Sequence, residues 1–168
     1  VIPGQVSYSN RIDTLQLSST FADETIVLSQ YYNVVNPVII TGATSGVQAK
    51  VIGFQDATAT TQPILLIQYI NSGSDSETLT FSDSENISAD ISITHNTTYG
   101  AAIASATTHT PDAPQRGSAV KVEEGVYYIR GQFVRCSTQQ LVLSTDNVRQ
   151  DARIGFTVTE TLVTPETD

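Results

Sequence analysis

The stretch from residue 121 to residue 165, KVEEGVYYIRGQFVRCSTQQLVLSTDNVRQDARIGFTVTETLVTP, constrains the fold more than any other part of the chain. Three runs of strand-forming residues are separated by polar turns, and Gly131 and Gly155 fall inside strand-like runs. Val, Ile, Tyr and Phe suit pleated, half-buried surfaces, so the pattern describes a β-meander. Val122–Val134 is long enough to cross a sheet, broken near its start by Gly125. The residues able to do chemistry here are single, scattered and of mixed type. The sequence reads as one that holds a shape.

Composition sharpens this reading. A length of 168 residues suits one domain or two small ones. Hydrophobic residues make up 39% and aromatics 7%, enough for a thin β core. Charged residues make up only 15%, against about 25% in ordinary soluble domains. The 23 Thr and 17 Ser fill much of that difference, and threonine's branched Cβ favours extended backbone while its hydroxyl meets water. Such a chain resembles extracellular or particle-borne structural material more than a metabolic enzyme.

A net charge of −9, with only eight Lys and Arg and no three together, opposes nucleic-acid binding, which needs a local positive excess. Arg130, Arg135, Arg149 and Arg153 are interleaved with Glu123, Glu124, Asp146, Asp151 and Glu160, so ion pairing within or between subunits is expected. Cys136 is the sole cysteine, which excludes an intrachain disulfide and a cysteine metal cluster, and it reads as a buried or strand-end residue. No apolar run approaches a membrane span. Met is absent throughout, so the chain is read as a processed product or a piece of a longer polypeptide.

Residues 1–36 read as an N-terminal arm and linker, 37–110 as a β-rich domain, and 111–168 as a C-terminal β-meander unit that continues in a longer chain. IPGQVSYSNRIDTL is irregular and suits an extended arm lying over a neighbour. Phe21–Tyr32 reads as a helix capped by Thr20, or alternatively as a strand from Thr25 to Val35, ended by Asn36-Pro37. Val47–Phe54 alternates as a strand with Val47, Ala49, Val51 and Gly53 on one side, and Ile64–Ile70 is the expected central strand. Gly73–Asn86 is a β-hairpin or an exposed excursion, and Ile91–Thr94 a further strand. Between Thr97 and Gly117, Pro111, Pro114 and Gly117 argue against any regular element.

Asp75, Glu77, Asp83 and Glu85 are the sharpest metal candidates, because closely spaced carboxylates and loop carbonyls suit a hard cation such as calcium. Their spacing does not match a helix-flanked calcium loop, and a solvated loop is the plainer reading. His95 and His109 lie fourteen residues apart and in no metal-ligand motif. With no GxSxG elbow, a Ser-His-Asp triad has nothing specific to support it. GATSG at Gly42–Gly46 lacks the following Lys-Ser or Lys-Thr of a phosphate loop and reads as a hairpin turn. Asn86-Ile87-Ser88 and Asn96-Thr97-Thr98 are formal glycosylation sequons. No catalytic, cofactor-binding or metal residue is assigned.

The order Gly125-Val126, Tyr128-Ile129-Arg130-Gly131, Phe133-Val134, Leu141–Leu143, Arg153-Ile154-Gly155-Phe156, Glu160, Thr164-Pro165-Glu166 and Asp168 resembles part of large structural proteins of tailed bacteriophages, particularly those infecting cyanobacteria. Those proteins carry a tail- or baseplate-associated domain of unknown function, DUF4815. The resemblance covers about the last quarter of the chain, and more weakly Arg11–Leu15. It implies a virion component, located in the tail or baseplate, that connects other virion proteins, forms a homo-oligomer and is not an enzyme. The alternative is a carbohydrate-binding host-attachment module of a tail fibre, with Tyr31, Tyr32, Tyr69, Tyr99, Tyr127 and Tyr128 as stacking platforms.

The fold expected is therefore mainly β, with antiparallel sheets in a small sandwich or meander and an extended N-terminal arm. Within its strongest strand, alternation places Tyr128 and Arg130 on one face and Phe133 on the opposite, core face. Gly131 suits a bulge or close backbone crossing, and Arg130 is expected to pair with an acid such as Glu160.

Overall fold

A computed structural model describes residues 6–144, 153–157 and 159 of the chain. The strands are β1 (Val6–Gln16), β2 (Thr20–Phe21), β3 (Glu24–Thr25), β4 (Ile39–Gly42), β5 (Gln48–Gln55), β6 (Ile64–Asn71) and β7 (Asn86–Ala89). They are followed by β8 (Ile93–Thr94), β9 (Thr98–Tyr99), β10 (Ala104–Thr107), β11 (Pro114–Val122), β12 (Gly125–Ile129), β13 (Gln132–Cys136) and β14 (Gln139–Ser144). Eight of them form one sheet in the order β10-β7-β4-β5-β6-β1-β11-β14, and every pairing in it is antiparallel. No α-helix occurs among the described residues. The mainly antiparallel β class expected from the sequence is the one adopted.

The sheet curls until its strands meet. Past Gln16, β1 continues to Leu17, which bridges Thr108 beyond β10; Ser18 N–H donates to the Thr107 carbonyl and His109 N–H to the Gln16 carbonyl, each at 2.9 Å. This closure wraps one core, built from Leu15, Ile40, Val51, Leu65, Ile67 and Ile87 among others. Val47, just before β5, and Ala49 and Val51 on it alternate into the core as the period of two requires, but a register shift between Val51 and Gly53 turns Gly53 to the opposite face, correcting its expected side.

Over the first half of β6 the other face is buried as well. Ile64 and Leu66 point away from that core, yet are 2% and 1% exposed. The first half of β1, together with β11 and β14, forms a flap over them. A register shift between Ser9 and Ile12 bends β1 so that one strand serves both the closed sheet and the flap. Two side-chain bonds tie β14 back to β5: Gln140 Nε2 donates to the Ile52 carbonyl at 3.4 Å, and Gln55 Oε1 accepts the Val142 N–H at 2.9 Å. Gly53 permits this, because a Cβ there would collide with the Gln140 amide. Burial on both faces explains why β6 reads as a continuous apolar run.

Several expectations change. Residues 6–16 do not leave as an arm; they are an inner strand between β6 and β11, joining the start of the chain to Pro114–Val122 in one ladder. Phe21–Tyr32 is neither a helix nor a single strand. Ala22 and Asp23 take positive φ (49° and 65°) and turn β2 into β3, after which Leu28–Tyr31 forms a 3-10 turn that buries Leu28 and Tyr31. An i, i+3 pair lies on one side of such a turn, so one turn suffices to bury both. Gly73–Asn86 is an excursion of turns rather than a hairpin. The region from Thr97 to Gly117 does hold regular structure, because Pro114 stands at the first position of β11, where its missing N–H is tolerated.

The long strand expected over Val122–Val134 is three pieces. β11 ends at Val122, and β12 and β13 then form a separate ribbon joined by Arg130 and Gly131, at φ 48° and 88°. Two successive positive φ values make the tight hairpin turn that matches strand twist. Gly131 is thus a turn glycine and not a bulge. The turn reverses the chain, so Tyr128 and Phe133 become cross-strand partners on one face. Phe133 is 69% exposed, and its assignment to the core is corrected.

Candidate functional site

The four acidic candidates are not gathered. Asp75 closes its own turn, accepting the N–H groups of Glu77 and Thr78 and the Thr78 hydroxyl at 2.7–3.0 Å. The Thr78 bonds hold its carboxyl well below the usual range, at about 2. Asp83 accepts the N–H groups of Asp112 and Ala113. Glu85 is 2% exposed and accepts from Thr44 N–H, Ser45 N–H, the Ser45 hydroxyl and Ser82 N–H at 2.6–3.0 Å. No three acidic, His or Cys side chains come together for a metal among the described residues.

Gly42–Gly46 is the hairpin turn between β4 and β5, as expected, and its N–H groups hold a carboxylate of the same chain. The N–H groups of Thr44 and Ser45 point at the Glu85 carboxylate much as a phosphate loop points at phosphate. Gly42 lies so close to this carboxylate that a Cβ there would sit 2.6 Å from Oε2. The same residue locks the closure of the sheet, since Glu85 N–H donates to Thr108 Oγ1 and Thr108 N–H to the Glu85 carbonyl, both at 2.8 Å.

His95 is buried among aromatic rings, with Tyr31 and Tyr99 at 6.2 and 5.7 Å. Its Nδ1 accepts the Val27 N–H at 3.0 Å, which leaves Nε2–H to donate to the Ser105 carbonyl at 2.8 Å. The Ser105 hydroxyl accepts from Tyr31 Oη at 2.7 Å. His95 therefore engages serine backbone, not a serine nucleophile, and the geometry pins the 3-10 turn and β3 to β10. Glu24 helps by accepting from Asn96 N–H, Thr97 N–H and the Thr97 hydroxyl, which lowers its carboxyl. His109 lies elsewhere, at the sheet closure.

The tyrosines are dispersed too. Tyr31 is fully buried; Tyr99 packs on Phe21, Tyr32 on Phe54, Tyr69 on Phe81 and Tyr127 on Phe156. Burial pushes the Tyr31 and Tyr69 phenols up to about 12. Tyr128 alone of the six is strongly exposed, at 60%. Cys136 ends β13 and is half-buried. Of the arginines, Arg135 pairs with Glu124 at 2.7 Å and Arg116 with Asp13 at 3.1 Å. Glu160 lies outside the described residues, as do Asp146, Arg149 and Asp151.

The feature the sequence reading missed is a surface. Val6, Tyr8 and Leu141 on the flap and Tyr128 and Phe133 on the ribbon are exposed, as are Ile154 and Phe156 of the segment 153–157, which line a groove with the flap. Val6, Val122, Tyr127, Leu141 and Phe156 line one open groove of about 430 Å³. On the ribbon's other face Tyr128 and Phe133 pack on each other, ring centroids 5.2 Å apart. The signal was present as the alternation of Val6 and Tyr8 with Ser7 and Ser9, hidden inside a segment taken for an irregular arm.

A scan against protein-family models, a search of curated proteins and a search of solved structures each find no match to this chain.

Proposed function

We propose that the chain is a structural component of a bacteriophage tail or baseplate, connecting other virion proteins and assembling with further copies of itself through the flap and ribbon. The observation carrying this reading is where apolar surface is left uncovered. A two-stranded ribbon is marginal by itself in water, and β12–β13 pairs with no third strand among the described residues. Contiguous exposed aromatic and aliphatic side chains mark association surfaces. Exposed apolar side chains also occur elsewhere, at Val34, Val35, Leu79 and Ile103, but those of the flap and ribbon adjoin a shared groove, while the core under the closed sheet is sealed. The Ser- and Thr-rich, sparsely charged composition and the resemblance of Gly125–Phe156 to phage tail proteins add to it.

A mixed-sign rim suits a partner that is another copy, because Lys121–Glu123 and Glu124–Arg135 offer both charges beside the apolar groove. Mass photometry of purified protein, with proteomics of intact virions, tests the reading. Oligomers that dissociate in a Tyr128→Ser, Phe133→Ser double variant, and peptides of this chain in the particle, are expected. A stable monomer that is absent from particles would overturn it.

A further inference from the structure

Between the closed sheet and the flap lies a cleft of about 600 Å³, inside the roughly 300–1,000 Å³ range of small-ligand sites. We infer that this cleft binds a neutral oligosaccharide. The inference goes beyond the assembly reading and does not depend on it.

One wall is aromatic. Tyr32 and Phe54 stand with ring centroids 5.7 Å apart and planes inclined by 60°, both half-buried. Such rings offer flat apolar faces to the C–H side of a sugar ring, and the Tyr32 hydroxyl adds a polar tip.

The facing wall is polar and held in place. Gln55 uses its amide oxygen on the Val142 N–H, so its NH2 group faces no protein acceptor among the described residues. Glu124 engages both Nε and Nη2 of Arg135 through Oε1 alone, at 3.1 and 2.7 Å, which leaves Oε2 unused. The Asp56 carboxylate and Gln139 amide line the same cleft with no protein hydrogen bond on their side chains. Amide donors and carboxylate acceptors side by side match sugar hydroxyls, which donate and accept at once. Because bonds to β14 and Arg135 already fix Gln55 and Glu124, binding need not order them.

Arg135 offsets Glu124, but the unpaired Asp56 carboxylate, on a chain of net charge −9, disfavours uronic-acid and sulfated glycans and leaves neutral ones favoured.

The test is a printed panel of neutral hexose and N-acetylhexosamine oligosaccharides beside acidic ones, followed by NMR titration of the best binder into the intact chain. Neutral glycans should bind and shift the ring resonances of Tyr32 and Phe54. An Asp56→Asn, Gln139→Ala double variant should weaken binding about tenfold or more with an unchanged melting temperature, since both side chains are exposed and hold nothing else. No binding by the neutral panel, preference for acidic glycans, or full-strength binding by the double variant would each overturn the inference.

Discussion

The closed sheet and the C-terminal ribbon are made of the same strand-forming residues, yet they differ in what each leaves uncovered. In the closed sheet, aromatic and aliphatic side chains point inward, and buried polar atoms are matched: Tyr31 to Ser105, His95 to Val27 and Ser105, Glu85 to four donors. In the ribbon, Tyr128 and Phe133 pack on each other and stay mostly exposed among the described residues. Hydrophobicity alone does not say which way a side chain faces. Closure of the backbone ladder does, because a strand buried on both sides has no solvent face, whereas a two-stranded ribbon has two.

The largest test of this contrast sets Leu65→Ala against Phe133→Ala. Leu65 is fully buried in the core strand, and its truncation should destabilise by about 2–5 kcal/mol through lost transfer energy and a residual cavity. Phe133→Ala, at a site that keeps the larger ring mostly in solvent, should change monomer stability by no more than about 0.5 kcal/mol. Urea unfolding of both at low protein concentration measures the difference. Comparable losses would mean the ribbon face is covered in the monomer.

Glu85→Ala comes next. It removes a buried carboxylate and strands the N–H groups of Thr44, Ser45 and Ser82 at the point where the sheet closes. A loss of about 3 kcal/mol is expected, the range for hydrogen bonds to a charged group left unmade. Hydrogen exchange should quicken at Thr44, Ser45 and Thr108, far from the ribbon. Exchange that quickens in β12–β13 instead would contradict the separation of the two regions.

Much of the closed sheet was legible because its strands alternate or run apolar without interruption, as in Val47–Phe54 and Ile64–Ile70. The pairing of β1 with β11 was not. It joins Val6 to Val122, and the register shift between Ser9 and Ile12 breaks the period of two that would have marked the first strand. The ribbon turn escaped because Arg130-Gly131 lacks the Asn-Gly or Asp-Gly signature, and reading through it reversed the face of Phe133. At the acidic loop, spacing showed four carboxylates close in sequence but could not show that three of them are turned to backbone N–H groups, two on segments distant in the chain. The cleft between Tyr32 and Gln139 joins residues from opposite ends of the chain, which no local pattern reveals.

The smallest expected effect concerns alkaline pH. Tyr31 is fully buried and its phenol is pushed up to about 12 by that burial, with the bond to Ser105 opposing the rise. A folded value above the unfolded value of about 10 means the folded state holds this proton more tightly. The resulting stability is complete below pH 10 and is lost as pH climbs toward 12. Its size is on the order of 2–3 kcal/mol. Tyr69 has the same direction and the same cause but is half-buried, so its share is smaller. Tyr31→Phe should flatten the fall of the urea midpoint between pH 10 and 12. It should also lower stability at neutral pH by about 1 kcal/mol, through the unmatched Ser105 hydroxyl. If Tyr31→Phe leaves that limb as steep as before, the phenol inside the closed sheet is not the buried one, and the assignment of inside and outside on which the comparison rests fails.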